Sequence, residues 1–134
     1  STDALANRAA GTPLDYDAGW YLGLPDVAAV YQAATALEGR KEWAASAALY
    51  QPLWKDSRPE VAQDAAWRGA RALWASGKSG EALALVDSAL TRSSAATAFR
   101  VHLLLLRGDL LNAQGRTAEA AAAWADAART NQRR

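Results

Sequence analysis

Three groups of residues in this chain have types and spacings that could do chemistry. The first is Gly77-Lys78-Ser79 within "WASGKSGEAL" (74–83), which ends like a phosphate-binding loop. Such a loop needs Gly-x4-Gly-Lys-Ser between a strand and a helix, so that backbone N–H groups converge on the phosphates. Here Ala72 stands where the first glycine belongs and the preceding segment has a helical pattern, so a nucleotide-binding enzyme ranks third among the readings. The second is His102, the only histidine in a chain without cysteine. Neither a thiol–His pair nor a His-based metal cluster can be built, and the carboxylates are scattered over helix ends and turns. His102 sits in a leucine-rich helix and reads as a packed or groove-lining residue, so no catalytic residue, metal or cofactor is expected. The third is Trp67, Arg71 and Trp74, spaced i, i+4, i+7 on one helical stripe. Indoles bury large areas and a guanidinium grips carboxylates or stacks on rings, which suits a ligand anchor. The same indoles would also fill gaps between alanine-rich helices.

The elements that carry these residues follow from composition. At 134 residues the chain fits one domain. Alanine is by far the commonest residue, which favours helices because it loses no side-chain entropy on entering one. Fifteen basic against fourteen acidic residues leave a net charge of +1, so no broad field steers the chain onto nucleic acid or an anionic membrane. The terminal "RTNQRR" is too weak a signal for nucleic acid and reads as a solvated end. The apolar stretch Val101 to Leu106, interrupted by His102, falls well short of the roughly 20 residues that span a bilayer. Starting at Ser1 without Met or a leader, the chain is expected to be a processed form or a piece of something longer.

A repeat organises the rest. "EGRKEWAAS" (38–46), "SGKSGEALA" (76–84) and "QGRTAEAAA" (114–122) align on Gly39, Gly77 and Gly115, two intervals of 38 residues. A basic residue follows each glycine (Arg40, Lys78, Arg116), and an alanine stands five positions on (Ala44, Ala82, Ala120). Before the glycines, Ala66, Gly69, Ala70 and Leu73 fall on one helical face, as do Leu104, Gly108 and Leu111. Each unit is then helix, tight turn, helix, with the glycine in the left-handed position where the first helix ends. Pro25, "KDSRPE" (55–60) and the serines of "TRSSAA" (91–96) mark helix starts. The spacing predicts helices at about 25–38, 40–53, 59–76, 78–91, 95–114 and 116–130. The units run over about 25–56, 59–94 and 95–132.

This pattern resembles the tetratricopeptide repeat, Trp-x2-Leu-Gly-x2-Tyr, then Ala-x3-Phe, then Pro. Leu104-x2-Arg107-Gly108-x2-Leu111 with Ala120-x3-Trp124 match best. Ala66-x2-Gly69-Ala70-x2-Leu73 with Ala82-x3-Val86 follow, and Ala28-x2-Tyr31-Gln32-x2-Thr35 with Ala44-x3-Ala48 form a degenerate first copy. The 38-residue period exceeds the family's roughly 34, and the closing proline is missing at Asp56, Ser94 and Gln132. The resemblance implies an all-α, right-handed solenoid of three helix-turn-helix hairpins over 25–134. A non-repeat segment, 1–24, precedes it.

In such a stack the first helices line a concave groove. The resemblance therefore implies a partner-binding face of Asp64, Trp67, Arg68, Arg71 and Trp74 in the middle unit and His102, Leu105, Asp109 and Asn112 in the third. Some relatives clamp a carboxylate with residues of successive first helices, but here the first unit offers only Ala29 and Ala33. The implied function is a non-catalytic protein–protein interaction module that holds a peptide segment or partner helix. Its implied setting is a bacterial accessory or scaffold domain, in the periplasm or envelope or in the cytoplasm. The alternative is a regulatory or substrate-recognition domain of a larger enzyme, binding a glycan through Trp67 and Trp74. The stretch "LDYDAGWYLGLPD" (14–26), with Tyr16, Trp20 and Tyr21, either caps the first hairpin or enters the groove.

Overall fold

Prolines open the first two hairpins: Pro25 and Pro59 each stand at a first helical position, where the missing N–H needs no partner. The computed structural model describes residues 19–134, which hold six α-helices and no strand. They are α1 (Pro25–Gly39), α2 (Trp43–Tyr50), α3 (Pro59–Ala75), α4 (Ser79–Arg92), α5 (Ala98–Ala113) and α6 (Thr117–Gln132). The helices pair as three hairpins, α1/α2, α3/α4 and α5/α6. Successive hairpins join through α2 on α3 and through α5 on both α3 and α4. By contrast α1 reaches α3 mainly through side chains.

Two helix starts and one helix end differ from the sequence expectation. Helix α2 spans 43–50 rather than 40–53: Lys41 breaks its front, and a 3₁₀ turn at Gln51–Leu53 follows it. Pro52 explains that end, since it cannot donate into an α-helical ladder. Helix α5 begins at Ala98, and its cap is Thr97 rather than the upstream serines. The Thr97 hydroxyl accepts the Phe99 and Arg100 N–H groups at 3.1 Å each and donates to Gln63 Oε1 at 2.5 Å. Buried Gln63 donates in turn to the Ala95 carbonyl at 3.2 Å, tying the second hairpin to the start of the third.

The turns correct the repeat register. Gly77 (φ 87°) and Gly115 (φ 78°) are left-handed as expected, but Gly39 is helical and Lys41 (φ 60°) takes the left-handed place. Each turn is closed by the same backbone bond: Glu42 N–H to Leu37 O, Lys78 N–H to Leu73 O and Arg116 N–H to Leu111 O, at 2.9, 2.9 and 3.0 Å. The equivalent residues are thus 41, 77 and 115, spaced 36 and 38 apart. In this register Ser46, Ala82 and Ala120 coincide, all fully buried. Four positions on, Tyr50, Val86 and Trp124 supply the bulk. Ala34, Ala70 and Gly108 are the matching small residues of the first helices.

Packing follows volume. Trp124 lies on Gly108, where a Cβ would fall inside the indole. Trp54 lies on Gly69, where a Cβ would stand 2.8 Å from the ring. One core gathers Val27, Tyr31, Ala34, Tyr50, Leu53, Val61 and Ala65; a larger one gathers Trp67, Trp74, Val86, Leu103, Leu106, Leu110 and Leu111 with their alanine neighbours. Trp54 packs against both, bridging the first and second hairpins. Burying one such side chain contributes on the order of 3 kcal/mol.

Candidate partner-binding face

Where α1 faces α3, the gap is filled by polar and aromatic side chains. The Tyr31 hydroxyl donates to Asp64 Oδ2 at 2.7 Å, and Arg68 Nε donates to the same oxygen at 2.7 Å. Asp64 is 0% exposed and its Oδ1 accepts no hydrogen bond among the described residues. Burial therefore pushes its carboxyl above the ordinary carboxylate value, against the pull of Arg68 and the Tyr31 hydroxyl. The same burial, with the neighbouring carboxylate, drives the Tyr31 hydroxyl up. Tyr50 is also raised, first by burial and then by Glu38, whose Oε1 accepts from the Tyr50 hydroxyl at 3.3 Å and from Ser46 Oγ at 3.1 Å.

Arginines on α3 are held against rings. The Arg68 guanidinium stands 4.4 Å from the Tyr31 ring centre, 5.7 Å from Tyr21 and 6.0 Å from Trp67. Arg71 lies 4.5 Å from the Trp67 ring centre. Burial lowers the Arg71 pKa, with Glu38 acting in the opposite sense. Trp67 meets His102 of α5 edge-on at 4.8 Å, which extends the cluster to the third hairpin. Trp20, in the 3₁₀ turn Trp20–Gly23, packs on Tyr31 at 6.3 Å and on Phe99 at 4.8 Å.

Of the residues anticipated from sequence, Asp64, Trp67, Arg68 and Arg71 come together here, and His102 joins them through Trp67. Leu105 is half-buried, Asp109 is buried on α5, and Asn112 is exposed near the end of α5. Trp74 is buried among Val86, Leu103 and their neighbours. Trp67 and Trp74 are 2% and 5% exposed, so neither presents an open ring face of the kind that stacks on a sugar. The first hairpin corrects the expectation. Its contribution is Tyr31, Glu38 and Tyr50, whereas Ala29 and Ala33 are exposed away from the cluster. The 36-residue step pairs Tyr31 with Trp67 and Glu38 with Trp74, so the 38-residue count read the first helix two positions out of register. The signal available in the sequence was the leucine series Leu37, Leu73 and Leu111.

Gly77 and Lys78 lie in the turn between α3 and α4 and Ser79 is the first residue of α4, with no strand beside them among the described residues. Also among the described residues, no group of three His, Cys, Asp or Glu could hold a metal, and no helix is long and apolar enough to cross a membrane. Residues 1–18, including Tyr16, lie outside the described residues, so the capping and groove expectations for 14–18 are not decided there.

A family-wide sequence model described as a tetratricopeptide repeat-like domain matches residues 22–134. No curated protein and no solved structure matches this chain. Domains of this kind generally mediate protein–protein interaction and are typically non-catalytic. With three helical hairpins, small residues at matching positions and the family match over most of its length, the chain belongs to the tetratricopeptide repeat-like family.

Proposed function

We propose that this chain is a non-catalytic binding module whose inner face, centred on Arg68 and Arg71 of α3, takes a carboxylate-bearing peptide segment or partner helix. One observation carries the reading: two guanidinium groups on one helix face, each laid on an aromatic ring and close to Asp64, Tyr31 and Tyr50. Arginine stacked on a ring is pre-organised for a planar carboxylate and loses little freedom on binding. Arginine and tryptophan at the centre of a surface are also the residues that carry most of the energy at protein interfaces. Retaining buried charge where apolar residues would pack as stably is consistent with a recognition role. The module works as an accessory or scaffold domain of a larger bacterial assembly.

The test is site-specific photo-crosslinking in cells, with benzoylphenylalanine at Leu105 on the inner face or at Ala121 on α6. A defined adduct from position 105 that is absent from position 121 and lost in Arg71→Glu supports the reading. Equal adducts from both positions, or adducts indifferent to Arg71→Glu in a folded protein, overturn it.

A further inference from the structure

We propose that the cleft between α2 and α4 takes α6 of a second copy of this chain, with Glu81 meeting Arg129 across the contact. Helices α2 and α4 both pack on α3 and leave between them a cleft of about 510 Å³, a size that apolar binding sites commonly have. Half-buried Trp54, Leu73 and Leu85 form its floor, and the exposed Ala48 and Ala84 form its rims. Leu73 follows Asp64 by nine residues on α3, half a turn out of phase. The cleft therefore opens on the opposite side of α3 from Arg68 and Arg71, and the inference does not rest on the inner face.

Charge and shape select the occupant. Glu81, the one charged residue of the lining, makes no hydrogen bond or ion pair among the described residues, whereas its counterpart Glu119 is held by Arg116 at 2.7 Å. Ser88, two turns further along α4, and Gln51 leave the other end neutral. Such a cleft suits a slender apolar helix that carries a cation at one end. Helix α6 has that form. Its buried Ala120, Ala123, Ala127 and Thr130 face the core, while Ala118, Ala122, Ala125 and Arg129, spaced i, i+4, i+7, i+11, are exposed on the side turned away. Alanine methyls on both surfaces let the helices approach closely. Arg129 follows Ala122 by seven residues, the same span of about 10.5 Å that separates Glu81 from Ser88. With α6 antiparallel to α4, Arg129 reaches Glu81 as Ala122 reaches Ser88. Arg129 now pairs with Asp126 one turn away, and exchanging one exposed ion pair for another costs little. Helix α1 also exposes alanines, Ala29, Ala33 and Ala36, but it carries no basic residue. Because the cleft of one copy takes the helix of the next, the contact is head-to-tail.

The experiment is sedimentation velocity on the full chain across a concentration series, with circular dichroism to check the fold of each variant. The parent's weight-average sedimentation coefficient should rise with concentration. Glu81→Arg and Arg129→Glu, both at exposed positions, should each weaken association about tenfold or more by setting like charges face to face. An equimolar mixture of the two variants restores opposite charges at every contact and should recover the association. Ala84→Phe, which fills the cleft and leaves both charges in place, should abolish it. A parent that stays monomeric, single reversals that associate like the parent, a mixture no better than its components, or association indifferent to Ala84→Phe overturns the proposal. An adduct of the chain with itself from benzoylphenylalanine at Ala121, beside the α6 stripe, belongs to this contact and differs in mass from a partner adduct at position 105.

Discussion

Tyr31 and Asp64, thirty-three positions apart, meet through a 2.7 Å hydrogen bond in the seam between the first two hairpins. Arg68 completes the contact from the next turn of the same helix as Asp64. Removing one member of a buried charged contact costs more than removing all of it, because the remaining groups stay desolvated. Asp64→Asn is therefore expected to cost about 3 kcal/mol in urea unfolding at neutral pH, and Tyr31→Phe about 1–2 kcal/mol. The double variant Asp64→Leu/Arg68→Met should lie closer to the parent than Asp64→Asn does. Equal stability of Asp64→Asn and the parent would show that the seam is held by apolar packing alone.

Gly108 and Trp124 form a matched pair. Since a Cβ at position 108 would enter the indole, Gly108→Ala is expected to lose about 3 kcal/mol through overpacking. Replacing the indole at the same time recreates the second hairpin, where Ala70 and Val86 stand at the matching positions. Thermal melts should then place Gly108→Ala/Trp124→Val above Gly108→Ala alone; a lower melting temperature for the double variant would refute the shared register.

Lys41 holds a left-handed conformation that its two counterparts leave to glycine. Lys41→Gly relieves a strain of about 1–2 kcal/mol but loosens the unfolded chain by about 0.4–1 kcal/mol. The expected outcome is a small net gain in stability. Gly77→Ala runs the other way, with φ 87° to support and open space around the new methyl group, and should lose about 1 kcal/mol. Chemical denaturation of the two single variants measures both signs directly.

Arg58 links the entries of the first two hairpins, donating from Nη2 to Asp26 Oδ2 at 2.7 Å and from Nε to Asp56 Oδ1 at 2.9 Å. The guanidinium holds both carboxyls below their ordinary value. The stability this confers is fully present above the unfolded carboxylate value of about 3.9 and is lost as pH falls through the lower folded values. The melting temperature of Arg58→Gln should therefore lie below the parent's at neutral pH, with the gap closing below about pH 4. A gap independent of pH would assign the effect to packing of the arginine stem.

Much of the architecture is written in short-range signals. Prolines at first helical positions, Gly77 and Gly115 past helix ends, and small apolar residues at helical spacing each act within a turn or two of themselves, so they specify three hairpins without reference to the rest of the fold. The first turn escaped because its glycine is helical and a lysine took the strained place; one misleading glycine shifted that unit by two residues. The same slip hides Tyr31 and Glu38 from the anticipated face, and Tyr50 falls outside it because it stands on α2, a second helix. Tertiary structure alone decided which charged groups share the seam. A hydrogen bond across thirty-three residues, and the burial that raises the Asp64 carboxyl, depend on how α1 leans on α3. No local periodicity encodes that angle; it is set by the volumes of Tyr50, Trp54 and their neighbours once the hairpins pack.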